Sequence, residues 1–555
     1  MHLERIEIAG FRGIKRLSLS FNELTVLIGE NAWGKSSLLD ALSLVLCPSA
    51  EFYEMKFSDF HVDHVIGNER ASSLQIVLRW HEDYQGEYQA RRYRAFDSFW
   101  VEDNNLKHLY VQIDSQIAND KIITHRHFLH ADGRIIEHPD TDKFLRQLMV
   151  LHPIVRIRDA RHVGADNPLT TTAHNISVVP PAKNRESDRI QRRLDNTCRR
   201  LMTQPGHVSA AEIKSSISTL RSLVDHYFAF APHSRSKAQP HCYYPLQNQH
   251  HNQTPFDQLI QPTMTKQAKL ILMGLLNAYI RARGPVDLKR ISRPIMILED
   301  PEGRLHPIML HQAWAFIQNM PMQKILTTNS PELLSVVPLT TIKRLQRTPQ
   351  KTVVHSINNG ELNKDDIRKV TFHVRMHRPS AFYARVWLLV EGETEVWLFN
   401  EMAQLTGYNL AAEGIHVIEF AQSGLKPLIK LARLLGIEWH LVADGDPAGR
   451  KYADKVRLLL NTDSERERLT VLPAKDIEHF LFKKGYEPLF RQLANISDND
   501  QMPIRKIIYR ALKKHAKPDI ALAIVKYTQE SESDKMPLLI RWVLKRVIIM
   551  ARGII

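Results

Sequence analysis

Cysteine is scarce in this chain. Its 555 residues hold three, Cys47, Cys198 and Cys242. They are far apart and odd in number, so no disulfide framework and no Cys-x-x-Cys zinc site can be drawn from them. Long apolar runs are lacking too. Residues 538–549 are the nearest approach, but Arg541, Lys545 and Arg546 interrupt them, and the stretch is too short and too charged to span a bilayer. The first residues, Met1, His2, Leu3, Glu4 and Arg5, lack the apolar core of a signal peptide. A soluble cytoplasmic protein with no membrane partner is expected. Acidic residues are in deficit: 60 Asp and Glu stand against 75 Lys and Arg, for a formal net charge of +15. That surplus suits a polyanion such as nucleic acid without identifying one. The length is too great for one core and asks for roughly two to four domains.

What is present is organised around residues 29–36, read G-E-N-A-W-G-K-S. They fit G-x-x-x-x-G-K-[ST], the loop that cradles nucleotide phosphates. An apolar run precedes them at 24–28 and a helical pattern follows from Ser37. Gly29 and Gly34 let the backbone of Glu30, Asn31, Ala32 and Trp33 curl, so that its N–H groups point at oxygens, and the new helix adds its positive end. Lys35 reaches the β- and γ-phosphates of ATP, and the Ser36 hydroxyl ligates Mg²⁺. Far downstream an apolar run at 294–298 ends in Glu299 and Asp300. Glu299 orients the Mg²⁺ shell and Asp300 polarises the attacking water. A second run, 324–328, ends at Asn329. Ligands of open α/β sheets sit at the carboxyl ends of strands, so both ends can meet the phosphate loop.

Elsewhere, Leu3, Ile6 and Ile8 and then Leu17, Leu19 and Phe21 read as strands broken at Gly10 and Gly13, and 74–80 and 109–113 read as strands of a sheet. Residues 91–96, R-R-Y-R-A-F, interleave cations with aromatics. Such a segment can grip a phosphate backbone, but a strand with one solvated face is the favoured reading. Ile190, Leu194, Cys198 and Leu201 share one helical face, and Ile213, Ile217, Leu220 and Leu223 begin another. They suggest a helical hairpin with a dimer interface. His241, Cys242, His250 and His251 lie in a polar segment without regular ligand spacing, where a flexible loop is favoured over a metal site. Residues 265–281 read as a helix, and the pattern resets at a basic linker near 374–384.

Beyond that linker, acids follow two apolar runs. Glu391 and Glu395 are four residues apart across a strand-to-helix junction, and Asp444 and Asp446 follow the next run. Four converging carboxylates repel and raise one another's pKa values unless a cation joins them. All-oxygen ligands select Mg²⁺ or Mn²⁺, which can activate water against a phosphodiester. An EF-hand is excluded, because its fifth and twelfth positions are Ala448 and Lys455.

These residues carry a family resemblance. Phe11-Arg12, G-E-N-A-W-G-K-S-S and I-L-E-D-P-E-G-R-L-H-P together resemble the ABC-type ATPases of the SMC and RecF group. The last motif is most similar to the OLD (overcoming lysogenization defect) family. The resemblance implies two heads closing around ATP in a homodimer, with Ser37 joining the nucleotide site. Residues 262–267 stand where that group carries its Ser-x-Gly signature, Asn329 stands where a histidine is usual, and Asp300 replaces a longer Glu. ATP binding is therefore the firmer expectation than fast hydrolysis. E-G-x-x-E followed by D-x-D resembles the TOPRIM domain of topoisomerases, primases and OLD nucleases. It implies Glu391 and Asp444 as catalytic, while L-P-A-K-D-I-E-H-F-L and S-D-K-M-P-L-L resemble later motifs of the OLD branch and imply Glu478 as a further metal ligand and Lys535 near the scissile phosphate. The fold class expected is α/β: an ABC/SMC-like P-loop ATPase head with a helical insertion, then a TOPRIM α/β domain and a helical C-terminal region. The expected boundaries are 1–182, 183–256 and 257–373 for the head and its insertion, 380–485 for the TOPRIM core, and 486–555 for its extension. The function implied is an ATP-regulated, divalent-metal-dependent DNA endonuclease, with a helicase or another repair or phage-defence protein as partner. The alternative is an ATP-gated DNA-binding clamp. A primase or topoisomerase ranks last, since no zinc module and no nucleophilic tyrosine domain is evident.

Overall fold

The computed structural model describes residues 1–63, 69–103, 105–157, 292–303, 310–311, 314, 318, 322–358, 360–460, 463–497, 500–530 and 536–553. Two compact units divide the chain: Met1–Leu333 with Leu345–Val354, and Leu334–Arg344 with His355–Ile555. Among the described residues no helix is long and apolar enough to cross a membrane.

The first unit opens on an antiparallel sheet in the order Ile135–Ile136, Lys121–Leu129, Leu106–Ala118, Ser73–His81, His2–Phe11, Ile14–Ser20, with Val101–Asp103 also paired to Leu106–Ala118. Strict alternation cannot put Leu3, Ile6 and Ile8 on one face, yet all three are buried. A register shift between Leu3 and Arg5 resolves the conflict. It is a bulge that changes the parity of the strand.

A second sheet runs Ile154–Ile157, Ile295–Glu299, Lys324–Thr327, Leu24–Ile28, Ile342–Arg347, Thr352–Ser356. Its first four strands are parallel. Leu24–Ile28 is buried at every position, as befits a parallel strand covered on both faces. Leu38, Leu39 and Leu42 of helix Lys35–Val45 pack in one core with Ile6, Ile8, Ile297 and Ile325.

The strand expected over residues 91–96 does not form. Arg94–Phe99 is a 3₁₀ helix. Tyr93, Phe96 and Phe99 are each at most 1% exposed, and they recur every third residue, which is the period of that helix. Arg91 and Arg94 point to solvent. Aromatic burial at a spacing of three thus overrides the reading of a pleated strand. The helical insertion over 183–256 lies outside the described residues, and so do the polar His/Cys segment, residues 262–267 and the helix at 265–281.

In the second unit four parallel strands run in the order Ile415–Glu419, Val386–Val390, Glu438–Ala443, Leu469–Val471. The chain reaches them through helical turns at Thr371–Met376 and Pro379–Tyr383, where Val374, Ala381 and Phe382 are fully buried. The C-terminal helices Glu487–Ala494, Ile504–Lys514, Lys517–Glu530 and Leu538–Arg552 share the sheet's core. Ile507, Ile524, Val543 and Val547 join Val386, Leu388 and Val390 in one cluster.

The packed 3₁₀ helix has a measurable consequence. Phe99 stacks on Phe128 with ring centroids 4.1 Å apart and meets Phe144 at 5.2 Å. Phe99→Ala should cost about 3–5 kcal/mol in chemical denaturation. Arg94→Ala, on the exposed side, should change stability by less than about 0.5 kcal/mol.

Candidate functional site

Parallel register assembles the first site. Glu299 pairs with Thr327, and Thr327 pairs with Leu27. The residues just beyond those positions, Asp300, Asn329 and Gly29, therefore gather at one sheet edge. Gly34 turns the chain into helix Lys35–Val45 with φ of 94°, a left-handed conformation that favours glycine. Lys35 is only 5% exposed. Its Nζ donates to the Gly29 carbonyl and, at 3.0 Å, to Asn329 Oδ1. Burial lowers the Lys35 pKa, while Asp300 and Glu302 oppose that shift. Asp300 sits at φ 44° and accepts from the Thr327 hydroxyl at 3.0 Å. Glu30 and Trp33 are half-buried, Asn31, Ala32 and Ser36 exposed. Ser37 Oγ accepts from the Gly13 N–H at 3.3 Å.

Glu302 belongs to this site and was not singled out in the sequence. Its Oε1 accepts the Asn329 N–H at 2.6 Å, and its Oε2 is buried with no partner. Burial raises its pKa, and Asp300 adds to the shift. The signal was its spacing, three residues beyond Glu299 in E-D-P-E.

Glu299 is held by an alternating chain of charges. Arg156 places Nε at 3.0 Å and Nη2 at 2.8 Å from Glu299 Oε2, and its Nη1 contacts Asp40 Oδ1 at 2.5 Å. Asp40, on the phosphate-loop helix, also binds Arg12 Nη1. The Nε of Arg12 lies 2.8 Å from Asp59 Oδ1. Asp59, Arg12, Asp40, Arg156 and Glu299 thus tie the strand that carries the acid to the helix that carries Lys35. Arg156 serves two partly buried carboxylates, of which Asp40 keeps Arg12, so Arg156→Ala should cost about 3 kcal/mol, chiefly through the charge-assisted bonds lost at Glu299. Arg156→Lys should recover only part of this, since an ammonium lacks the planar fork. Thermal unfolding of the two variants beside the unchanged chain tests both statements.

The second site lies at the carboxyl edge of the four-stranded sheet. Glu391 directly follows Val386–Val390, and Asp444 directly follows Glu438–Ala443. Glu395 sits in the first turn of helix Glu393–Leu405. Glu478 is in the short helix Ile477–Leu481 after Leu469–Val471. Gly445 lets these loops close together, because a Cβ there would lie 2.3 Å from the Ala474 carbonyl oxygen.

Proximity is visible in the protonation equilibria. Burial pushes Asp444 up to about 8, with Glu395, Glu391, Asp476 and Glu478 adding to the shift. Burial pushes Glu478 up to about 7, and Asp476 and Glu395 push the same way. Glu391 is raised by burial and then by Asp446 and Glu395, whereas Glu395 is raised by burial against the lowering effect of its backbone hydrogen bonds, with Asp476 adding least. Lys517, at the start of helix Lys517–Glu530, lowers Glu391, Glu395 and Glu478. It is the cation that sequence reasoning left in a general basic tail. Lys535 lies outside the described residues.

Two acids have structural partners. Asp446 caps helix Pro447–Leu459 by accepting from the Gly449 N–H at 2.7 Å. Asp476 accepts from the His479 N–H at 2.8 Å. Among the described residues no three His, Cys, Asp or Glu side chains are closed into a ready metal cage. The donor set nevertheless fits a hard divalent cation. It is all oxygen, it is crowded with like charge, and Glu391 Oε2 is buried with no partner. Thr394 Oγ1 and Ser423 Oγ are also buried without partners.

The sign of the pH effect follows. Folded-state pKa values above the unfolded ones mean that folding favours the protonated acids. The stabilising contribution is complete below about pH 4 and is lost as pH rises to about 8 for Asp444. Without divalent ion, stability should fall over this window by up to about 1.4 kcal/mol per pH unit for one group. Asp444→Asn should flatten the slope in a pH series of unfolding curves, and Mn²⁺ should stabilise most at the alkaline end.

Comparison with known proteins places these features in a family. Residues 1–381 match the family model described as protein of unknown function (DUF2813). Residues 382–446 match the overcoming lysogenization defect protein-like TOPRIM domain, a span that contains Glu391, Glu395, Asp444 and Asp446. The chain is 41% identical to the uncharacterized protein YbjD of Escherichia coli (strain K12) over 565 aligned residues, covering 100% of each chain. It is 31% identical to the DNA replication and repair protein RecF of Bacillus velezensis over 85 residues, 15% of this chain and 18% of that one. The C-terminal region of the Xanthomonas campestris OLD protein aligns at 19% identity and a TM-score of 0.27, covering 31% of this chain and 98% of that one.

Proposed function

The chain belongs to the DUF2813 family and carries an OLD-like TOPRIM domain, and from that premise we propose that it is an ATP-regulated, divalent-metal-dependent DNA endonuclease. The observation that carries the proposal is the cluster of Glu391, Glu395, Asp444 and Glu478 at one sheet edge, with Asp444 pushed up to about 8. A resting site so crowded with acid suits a phosphodiesterase that works with cations. The RecF match adds support for the head, since that relative's name places it in DNA replication and repair.

Glu391, Glu395, Asp444, Asp446 and Glu478 would hold Mg²⁺ or Mn²⁺. When bound, the ions supply the positive charge that the attacked phosphate and its leaving oxygen require. Glu391 is the group we assign to take the proton of the attacking water. Its Oε2 is buried and has no hydrogen-bond partner, which leaves an oxygen able to accept that proton. The O–P bond to the leaving oxygen breaks as the water oxygen bonds to phosphorus, and that oxygen then takes up a proton. Lys517 offsets the added negative charge on the phosphate, a role the sequence reading gave to Lys535.

In the head, Lys35 would meet the β- and γ-phosphates of ATP, the N–H groups of residues 30–36 would surround them, and Ser36 with Glu299 would hold Mg²⁺. Asp300 would polarise water for hydrolysis. Two heads closing as a homodimer would make ATP a gate on the nuclease. The second reading, an ATP-gated DNA clamp, is favoured by one observation: no closed metal cage forms among the described residues.

One set of assays separates the two. Supercoiled, nicked and linear DNA are incubated with Mg²⁺ or Mn²⁺, with and without ATP. Cleavage should appear and should fall at least about a hundredfold in Asp444→Asn, with ATP affinity kept. Lys35→Ala should weaken ATP binding about tenfold or more while leaving ATP-free cleavage measurable. Tight ATP-dependent DNA binding with no cleavage of any form would establish the clamp instead.

A further inference from the structure

Helix Ile504–Lys514 separates its residues sharply by face. Ile507, Ile508 and Ala511 are buried in the core. Arg505, Lys506, Tyr509, Arg510 and Lys513 are exposed, Tyr509 at 63%. On a helical wheel these five fill the arc opposite the buried residues. No Asp or Glu occurs between Asp500 and Asp519. Among the described residues none of Arg505, Lys506, Arg510, Lys513 or Lys517 has a side-chain hydrogen bond or ion pair. Uncompensated cations in such a run repel one another. Lys514, by contrast, is used within the fold, donating to the Ala494 carbonyl at 3.0 Å.

The stripe leads to the acid cluster. Lys517 follows it within one turn of chain and begins helix Lys517–Glu530, which packs along helix Glu393–Leu405, the element that carries Glu395.

We propose that the outer face of Ile504–Lys514 is a nucleic-acid track, on which Arg505, Lys506, Arg510 and Lys513 bind successive backbone phosphates and Tyr509 stacks an unpaired base, delivering the strand to Lys517 and the acids. The proposal rests on the DNA-acting reading above. Regularly spaced cations suit a polyanion, and an exposed aromatic ring among them gains from a base only when that base is free of its own stack. A membrane surface fits less well. An interfacial helix needs an apolar face to insert, and here that face is already spent on the core.

The test uses the full-length protein and a fluorescent oligothymidylate, with a blunt duplex of the same length. Arg505→Gln/Arg510→Gln/Lys513→Gln should bind the single strand at least tenfold more weakly at moderate salt. The slope of log affinity against log salt should fall by about two, at about 0.7 per lost phosphate contact. Tyr509→Ala should lose on the order of tenfold on the single strand and little on the duplex, and Tyr509→Phe should retain affinity. All the altered side chains are exposed, so unfolding temperature and Mn²⁺ binding should be unchanged. Arg510→Gln alone, with a proportionate loss, guards against a folding defect in the triple variant. Unchanged affinity and slope in the triple variant would overturn the track while leaving the nuclease reading intact. So would a loss confined to anionic lipid vesicles. An equal loss of duplex and single strand in Tyr509→Ala would overturn the stacking role. If the unaltered protein binds no DNA of either form, both the track and the reading beneath it fail.

Discussion

A strand can pair in parallel with its neighbour only if the chain returns to the same starting edge, so every carboxyl end in the sheet opens on the same side. Both candidate sites depend on this constraint. In the first unit it brings Gly29, Asp300 and Asn329 together from segments some three hundred residues apart in sequence. In the second it brings together Glu391, Asp444 and, one strand further, Glu478. Neither gathering needs a preference of the polar residues for one another. Apolar burial of Leu24–Ile28 and Val386–Val390 drives the pairing, and the polar ends are carried with it.

The two edges then treat charge in opposite ways. In the first unit, acids and guanidinium groups alternate from Asp59 to Glu299, so each partly buried carboxylate has a cation within hydrogen-bond distance. Such an arrangement is stable as it stands and fixes the loop helix against the strand beside it. At the TOPRIM edge the carboxylates mostly face other carboxylates, and Lys517 is the cation whose charge relieves three of them. Burial, with the neighbouring acids adding to it, raises Asp444 to about 8, so protonation substitutes there for the missing positive charge. A fold that keeps such a cluster forgoes stability at neutral pH in exchange for a place where cations bind strongly.

What could be read in advance followed from how local the physics is. The strand–loop–helix at residues 24–45 is written in consecutive residues, and so is the pairing of an apolar run with a terminal acid at 295–300 and at 386–391. Residues 91–96 hold only two of the three rings buried at a spacing of three, Tyr93 and Phe96, and without Phe99 the period of the 3₁₀ helix does not show. Arg156 was silent for a different reason. Its partners Asp40 and Glu299 lie more than a hundred residues away on each side, and no local pattern marks an arginine that will bridge two other elements. Lys517 was one lysine in a basic tail until the packing of its helix against Glu393–Leu405 gave it a direction. The bulge after Leu3 was legible in principle, since Leu3 and Ile6 have opposite parity and both are apolar.

Charge also orders the events at the second site. A backbone phosphate approaching Glu391, Glu395, Asp444 and Glu478 meets repulsion that deepens as pH rises and these acids ionise. Cations on Ile504–Lys514 and at Lys517 attract the same phosphate from beside the cluster. Lys517 offsets the acids only in part, since Glu391, Glu395 and Glu478 all stay raised in its presence. Divalent ions bound among the acids would reverse the local sign, so metal and nucleic acid should each raise the other's affinity by the same factor. Order would then be imposed without a moving part. Nucleic acid on the basic helix alone would be held but not cut, and engagement of the scissile phosphate would wait on the cations that also perform the chemistry. If ATP gates the site as proposed, it would need only to alter the spacing of a few carboxylates, since electrostatic energy inside a low-dielectric pocket changes steeply with distance.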